Sequence, residues 1–315
     1  MSSTPRILVV VKGLPSRSPA LVRAMGLARK SGATLQLRLF EYQRRLERAA
    51  KQGFDLQAYL RGRRDKLEEL AQGIRHEGVK ADCAVIWGRP TAEKIILEAL
   101  ALKPELVIKD TTDESIVNRA FYSGLDWSLL AECPAPLMLV HPGSAGLPKR
   151  ILAAVDPMDE HGKPQSLNAD ILRTAVSLSM QCDAKLDVAN VYEFTPAVSE
   201  YEYVGWIPDV TLYEELRKAH VEALYALGRQ HGIPPAGMHV LDGDPARAIA
   251  GFAADKHVDL VVMGSVYRTG LRHLMIGSTA EGVFDALACD VLVLKPEGFA
   301  AEVAAMLESS KPKAA

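Results

Sequence analysis

The sequence predicts an α/β protein of two homologous halves, each a doubly wound, five-stranded parallel sheet with helices on both faces. Three observations predict this. Short β-branched apolar runs alternate with longer helical patterns. Several runs are almost continuously apolar, as expected of strands covered on both faces. The same series of motifs also occurs twice along the 315 residues, a length that suits two domains with their own cores.

The repeat is visible in four pairs of segments. "RILVVVKG" matches "RILAAVDP" at an offset of 144, and "VIWGRPTAEKII" matches "VLDGDPARAIAG" at an offset of 155. "ELVIKD" matches "DLVVMG", and "APLMLV" matches "CDVLVL", both at an offset of 154. The segment 141–149, rich in Pro and Gly, is a predicted linker. We therefore expect one domain over residues 1–142 and a second over residues 148–298.

The second half illustrates the predicted elements. Strands are expected near 150–155, 186–191, 238–241, 259–263 and 290–294, and helices over 165–181, 210–231, 245–256 and 278–288. The helix over 210–231 places apolar residues near one face: Leu212, Leu216, Val221, Leu224 and Leu227. Sheets of this type bind ligands beyond the carboxyl ends of their strands, where the strand order reverses.

The segment "MGSVYRTGLRHLMIGST", residues 263–279, begins at such a carboxyl end. Gly264 follows the strand "DLVVM", and Gly277, Ser278 and Thr279 open the last predicted helix. The free N–H groups and positive dipole end of that helix attract anions, and glycine lets the backbone approach a phosphate. The segment is therefore consistent with a phosphate clamp. A simple turn at Gly264 and a helix cap at Ser278 or Thr279 are the structural alternatives.

Neither G-x-x-x-x-G-K-[ST] nor G-x-G-x-x-G after the first strand is present. The spacing instead resembles the outer frame of the G-x2-G-x9-G-[ST] signature of the universal stress protein family. Here Gly264 is followed, after twelve residues, by Gly277-Ser278. "VDP" after the first strand, "GDPARAIAGFA" and "CDVLVLKP" are similar to that family's pattern, in the same order. With two such halves, the chain is identified as a member of the tandem, two-domain type.

The resemblance implies a Rossmann-like sheet of the adenine nucleotide alpha hydrolase-like type in each half, with strand order 3-2-1-4-5. It also implies binding of ATP or another adenine nucleotide. Asp156 would meet the adenine or ribose, and Val191 would line the adenine pocket. The wall and phosphate clamp would consist of Met263, Gly264, Arg268, Gly277, Ser278 and Thr279. A cap role for Asp156 and a core role for Val191 are the structural alternatives.

The signature's second glycine falls on Tyr267. A phenol side chain there would either stack on a base or close the path to the phosphates, and the sequence leaves both open.

The first half lacks the residues of the predicted site. At the offset of 154, Gly264 corresponds to Asp110, Tyr267 to Asp113, Gly270 to Ile116 and Gly277 to Ser123, and at the offset of 144 Lys12 takes the place of Asp156. Acids where a polyphosphate would lie repel it, and Ile116 removes the freedom of glycine. We expect the first half to be a fold partner without the ordinary nucleotide site.

The net charge indicates which kinds of partner the protein binds, and the cysteine spacing indicates its cellular compartment. With 37 basic and 39 acidic residues, the net charge of −2 gives no attraction to nucleic acid or to an anionic membrane. The arginines among residues 44–64 are interspersed with acids and indicate a solvated face. The four cysteines are far apart and form neither a zinc motif nor a disulfide framework, which favours the cytoplasm.

These observations predict a binding module of the stress response, with adenine nucleotide in the second half and no catalytic residue assigned. A slow ATPase is the enzymatic alternative. A nucleotide-free scaffold or a binder of an apolar molecule is the third. The two halves are expected to pack as a pseudo-twofold pair through their last strands, whose apolar edges would otherwise be bare, and a homodimer is left open.

Overall fold

The computed structural model describes residues 4–14, 17–111, 122–144, 146–158, 165–193, 210–265, 267–268 and 275–309. The first half contains β1 (Arg6–Val11), α1 (Pro19–Ser31), β2 (Thr34–Glu41), α2 (Arg44–Ala50), α3 (Leu56–His76), β3 (Ala81–Trp87), α4 (Ala92–Leu102), β4 (Leu106–Asp110), α5 (Gly124–Glu132) and β5 (Leu137–Val140).

The second half repeats this series. It contains β6 (Arg150–Ala154), α6 (Gln165–Cys182), β7 (Lys185–Tyr192), α7 (Val210–Gln230), a 3-10 turn (Pro235–Gly237), β8 (Met238–Asp242), α8 (Pro245–Asp255), β9 (Leu260–Gly264), the short ribbon β10 (Tyr267–Arg268) and β11 (Met275–Ile276), α9 (Ser278–Ala286), β12 (Asp290–Leu294) and α10 (Phe299–Ser309).

Each half forms a parallel sheet with the expected strand order 3-2-1-4-5. The first half runs β3-β2-β1-β4-β5, and the second half runs β8-β7-β6-β9-β12. In the second half the order reverses between β6 and β9, which pair in parallel from Ile151–Leu260 to Ala154–Met263. This strand order confirms the predicted fold class. The reversal point is where sheets of this class bind ligands.

Local signals in the sequence explain where several helices begin and end. Ser18 accepts a hydrogen bond from Leu21 N and Pro19 opens α1, while Gly32 ends this helix with φ 73°. Asp244 caps α8 in the same way, with Pro245 as the first helical residue. On the predicted apolar face of α7, Leu224 is buried and Leu216 is 36% exposed.

The two halves join through their last strands into one ten-stranded sheet. β5 and β12 pair antiparallel, with Met138 opposite Leu292. These two residues are counterparts at the offset of 154, so the pairing is centred on a pseudo-twofold axis. Both strands are buried along their whole length. The pairing covers the apolar edges that the sequence identified.

The apolar core forms two layers, one on each face of the sheet, and each layer contains residues of both halves. Helices α1 and α6 pack against each other on one face. Among the described helices, none is long and apolar enough to cross a membrane.

Candidate functional site

A cavity with a volume of about 90 Å³ lies at the carboxyl edge of the second half's sheet, beside the point of strand reversal. Five of the eight residues predicted to hold a nucleotide line it: Asp156, Val191, Met263, Gly264 and Thr279. The rest of the wall comes from α6, α8, α9 and the strand ends, through Ala154, Val155, Leu167, Asn168, Ile171, Ala189, Pro245, Ile249 and Val283.

The cavity is lined mainly by apolar residues, with a few polar ones among them. Ile249, Met263 and Val283 are buried, whereas Asp156, Asn168 and Thr279 supply oxygens and an amide. Apolar walls with a few placed polar groups are typical of small-molecule sites. The volume is well below the roughly 300–1,000 Å³ of ordinary ligand pockets. It would therefore enclose part of a nucleotide, such as its base.

Asp156 is held by α6. Its backbone N donates to Asn168 Oδ1 at 3.1 Å, and Asn168 Nδ2 donates back to Asp156 O at 2.7 Å. Its carboxylate accepts a hydrogen bond from Met158 N at 3.4 Å, which forms a local turn. The predicted alternative, a helix cap for "PMDE", involves residues 159–160, which lie outside the described residues.

Two polar side chains lie behind Asp156. Asn190 Nδ2 donates to Val155 O at 3.1 Å, and Asn190 Oδ1 lies 2.7 Å from His220 Nδ1. Burial lowers the pKa of His220, and the negative charge of Asp156 partly opposes this. The neutral imidazole is therefore favoured in this part of the site.

Gly264 is the last residue of β9, and its lack of a side chain is required by packing. A Cβ atom there would lie 2.7 Å from Leu167 Cδ2 and 3.2 Å from Ile171 Cδ1. Leu167 and Ile171 are both buried in α6. The glycine thus lets α6 approach the strand, and this same approach forms one wall of the cavity.

Helix α9 begins beside the cavity with an open N-terminus. Gly277 is its N-cap residue, with φ −63° and ψ 143°, and in the described part of the chain no side chain bonds to the cap. Ser278 and Thr279 are therefore the first two helical residues and not the cap that was one alternative. Thr279 is exposed and lines the cavity. The N–H groups of the first turn remain available to an anion.

Arg268 lies in β10, which pairs antiparallel with β11 through Tyr267–Ile276 and Arg268–Met275. The side chains of Tyr267, Arg268 and Ser278 lie outside what the structure describes, as does all of Gly270.

The corresponding edge of the first half is filled by a buried ion pair. Lys109 takes the place of Met263, and Asp126 the place of Ala280. Lys109 Nζ lies 2.6 Å from Asp126 Oδ1, with side-chain exposures of 8% and 0%. Asp126 Oδ2 also accepts hydrogen bonds from Ser123 N at 2.9 Å and Ser123 Oγ at 2.8 Å. Ser123 and Asp126 form a capping box that closes the N-terminus of α5.

Asp110, the counterpart of Gly264, has a structural partner. Its Oδ1 accepts a hydrogen bond from Ala20 N at 2.8 Å, in the first turn of α1. Lys12, the counterpart of Asp156, is exposed. Asp113 and Ile116, which the sequence also named, lie outside the described residues.

The similarity to known proteins covers both halves. The model of the universal stress protein family matches residues 4–141 and 148–295. The chain belongs to the universal stress protein family. Universal stress protein E of Escherichia coli K12 is 28% identical over 309 residues, 95% of this chain and 96% of that protein. A Haemophilus influenzae universal stress protein E homolog is 30% identical over 67% of this chain and 69% of its own length.

Solved structures agree on the tandem architecture. A functionally unknown protein of Pseudomonas aeruginosa PAO1 has a TM-score of 0.78 at 27% identity, covering 98% of both chains. A universal stress protein of Archaeoglobus fulgidus, at 18% identity, has a TM-score of 0.62 over 93% of this chain and 99% of its own. At that identity, the second likeness concerns the fold alone.

Sequence reasoning missed part of the cavity wall. Leu167, Asn168 and Ile171 lie on α6, between 11 and 15 residues after the predicted Asp156, and no sequence motif marks them. Pro245 and Ile249 lie within "GDPARAIAGFA", which carried the family resemblance without being assigned to the site. Among the described residues, no cluster of three or more His, Cys, Asp or Glu could hold a metal ion.

Proposed function

We propose that the second half of this universal stress protein binds one adenine nucleotide, with ATP as the first candidate, and that the chain acts as a binding module in the stress response. The observation that carries the proposal is the convergence of Asp156, Val191, Met263, Gly264 and Thr279 on one cavity beside the open start of α9. The apolar slot suits a base, and the helix start suits a phosphate.

A universal stress protein has been solved in complex with cAMP. That finding concerns that protein, and the proposal for this chain rests on its own residues. The proposal includes a cytoplasmic location, which the four free cysteines favour. It includes neither nucleic acid nor membrane as a partner.

One observation favours a second candidate, a nucleotide-free scaffold or a binder of a smaller apolar molecule. The cavity of about 90 Å³ is too small for a whole nucleotide without an opening toward the rim. Native mass spectrometry of the purified chain distinguishes the two candidates. Co-purified or added ATP retained at one per chain supports the proposal, and no retention at saturating ATP supports the scaffold. Timed phosphate release then tests the slow ATPase.

The helix start gives a direct mutational test. We expect Gly277→Val to weaken ATP binding at least about tenfold, because a branched side chain would stand where the backbone meets the phosphates. Its φ of −63° is open to any residue, so the fold should survive. Gly124→Val, at the start of α5 with open space around it, is the matched control in the first half and should leave binding unchanged. Normal ATP binding by a folded Gly277→Val protein would locate the clamp elsewhere.

A further inference from the structure

A second cavity lies where the two halves meet, between helices α1 and α6 and the strands beneath them. Its volume is about 330 Å³, within the range of small-molecule pockets. Both halves contribute to its wall, which consists of Ile7, Leu27, Ser31, Ala33, Glu105, Leu106, Pro136, Arg173, Thr174, Ser177, Leu178, Gln181 and Leu292. It is called the inter-helix cavity below.

The floor of the inter-helix cavity is aliphatic. Its most buried branched residues come from β1, α1, β4 and β12, and each is 9% exposed or less: Ile7, Leu27, Leu106 and Leu292. The two charged residues of the wall, Glu105 and Arg173, are both exposed and belong to the rim. A hydrocarbon chain that enters this cavity therefore loses contact with water against an apolar floor, which favours binding.

The rim is polar and has no excess of either charge. Arg173 Nη1 pairs with Asp170 Oδ1 at 2.7 Å, and Glu105 brings one further carboxylate. Gln181 Nε2 donates to Ser177 Oγ at 2.9 Å, which leaves the Ser177 hydroxyl hydrogen to donate in turn. Hydroxyl and amide groups of this kind suit an uncharged polar end of a ligand, such as an alcohol or an amide.

At the pseudo-symmetric place, the linker supplies an aliphatic side chain. Helix α1 ends at residue 31 and α6 at residue 182, an offset of 151 that makes Gly26 the counterpart of Ser177. A Cβ atom on Gly26 would lie 2.8 Å from Leu147 Cδ2, so Leu147 lies directly against α1. Leu147 also packs on the apolar layer beneath the helices. The groove between α1 and α6 thus accepts a branched hydrocarbon group in one of its two copies.

The chain takes a different course at the other copy. At the offset of 154, the counterpart of Leu147 is Ala301 of α10, and α10 packs on the opposite apolar layer through Phe299. The helix itself also fills less space here, because Thr174 stands where α1 carries the larger, buried Arg23. These two differences account for the open volume at the inter-helix cavity.

We propose that the inter-helix cavity binds a small aliphatic molecule with an uncharged polar end. The hydrocarbon part takes the place that Leu147 holds in the other copy of the groove. The polar end lies at the rim beside Ser177 and Gln181. The site is separate from the candidate nucleotide site, because the two cavities share no lining residue.

Methyl-resolved NMR titration of the full-length chain with 1-hexanol tests this. We expect saturable shifts of the floor methyl groups, with a dissociation constant of about 1 mM or below. The reporting residues are Ile7, Leu27, Leu106, Leu178 and Leu292. Hexanoate and hexylammonium place a charge at a rim that already holds both signs, and they should bind at least about threefold more weakly.

Filling the cavity from α6 gives the mutational test. Ser177→Leu should weaken 1-hexanol binding at least about tenfold, because its side chain would occupy the ligand's place. Ser177 is exposed, so the fold should survive. Ser166→Leu is the matched control: it lies on the same helix, is also exposed and is outside the wall, so it should leave binding unchanged. Thr174→Leu fills the cavity from the preceding turn of α6 and replaces Ser177→Leu if that variant does not fold.

Three results would overturn the proposal. The first is a linear, non-saturating response, or shifts confined to Val191, Ile249 and Val283 of the nucleotide cavity. The second is an unchanged affinity for 1-hexanol in the folded cavity-filling variant. The third is binding of hexanoate or hexylammonium as tight as that of 1-hexanol, which would contradict an uncharged ligand.

Discussion

At the end of β9, Gly264 leaves room for Leu167 and Ile171 of α6 to pack close to the strand, and a cavity opens beside them. At the same position of β4, Asp110 instead caps the first turn of α1. The halves also differ at the preceding residue of each strand. Met263 of β9 lines the cavity, whereas Lys109 of β4 forms a buried ion pair with Asp126.

The N-termini of α5 and α9 also differ between the halves: one is capped by side chains and, among the described residues, the other is not. In the first half, Ser123 and Asp126 satisfy the N-terminus of α5 through a capping box, whereas Gly277 leaves the start of α9 without a side-chain cap in the described structure. Two copies of one fold therefore use the same edge differently. In one copy a capping box closes the helix start, and in the other no side chain among the described residues caps it.

The largest expected effect comes from breaking the first-half pair. Asp126→Ala leaves the Lys109 ammonium buried without its carboxylate, which should lower the free energy of unfolding by about 3–5 kcal/mol. Denaturant unfolding followed by circular dichroism measures it. Lys109→Met/Asp126→Ala installs the second-half residues Met263 and Ala280 and should regain most of the loss. A loss below about 1 kcal/mol in Asp126→Ala would mean that the pair does not hold this edge closed.

A smaller loss is expected at the counterpart of Asp110. Gly264→Ala should cost about 1–3 kcal/mol, because the added Cβ would press on two buried side chains of α6. Gly251→Ala is the matched control, since Gly251 lies in α8 with open space around it, and it should be neutral or stabilising by up to about 1 kcal/mol. Equal unfolding midpoints for the two variants would contradict the packing role of Gly264.

The smallest expected effect is a pH dependence of stability that comes from His220 of the second half. Because burial lowers the pKa of His220, the unfolded chain binds its proton more readily than the folded chain. This contribution to stability is therefore complete above the unfolded pKa of about 6.5 and is lost as the pH falls below it. Unfolding curves between pH 7.5 and 5 should show this slope, and His220→Gln should flatten it. His76→Gln, at an exposed position of α3, should not; an unchanged slope in His220→Gln would assign the effect to another group.

Much of the fold could be predicted because its signals are local and occur twice. Apolar runs such as "DLVVM" and "CDVLVL" indicate buried parallel strands, and the repeat fixes the equivalence of the halves. The pairing of β5 with β12 followed from two bare apolar edges. Leu216 is 36% exposed although it belongs to the apolar stripe of α7, because periodicity alone does not tell a buried position from an exposed one.

The candidate site was harder to predict, because part of the cavity wall comes from helices whose packing on the sheet brings distant residues together. The strand ends could be located from the sequence, so Asp156, Met263 and Gly264, which line the cavity, were among the predicted residues. Asn168 could not, because its role comes from the depth at which α6 packs on the sheet. The Lys109–Asp126 pair was also missed, since two charged residues seventeen apart give no sign that they are buried together.

The central claim is that only the second half keeps a nucleotide site, and the stoichiometry of ATP binding tests it most directly. Calorimetric titration of the full-length chain should give one site per chain. Lys109→Met/Asp126→Ala in the first half should leave this value at one, because Asp110 and the Ser123 cap remain in place. Gly277→Val should weaken ATP binding at this site at least about tenfold. Two equivalent sites per chain, or a single site that survives Gly277→Val and disappears on changes to the first half, would contradict the account.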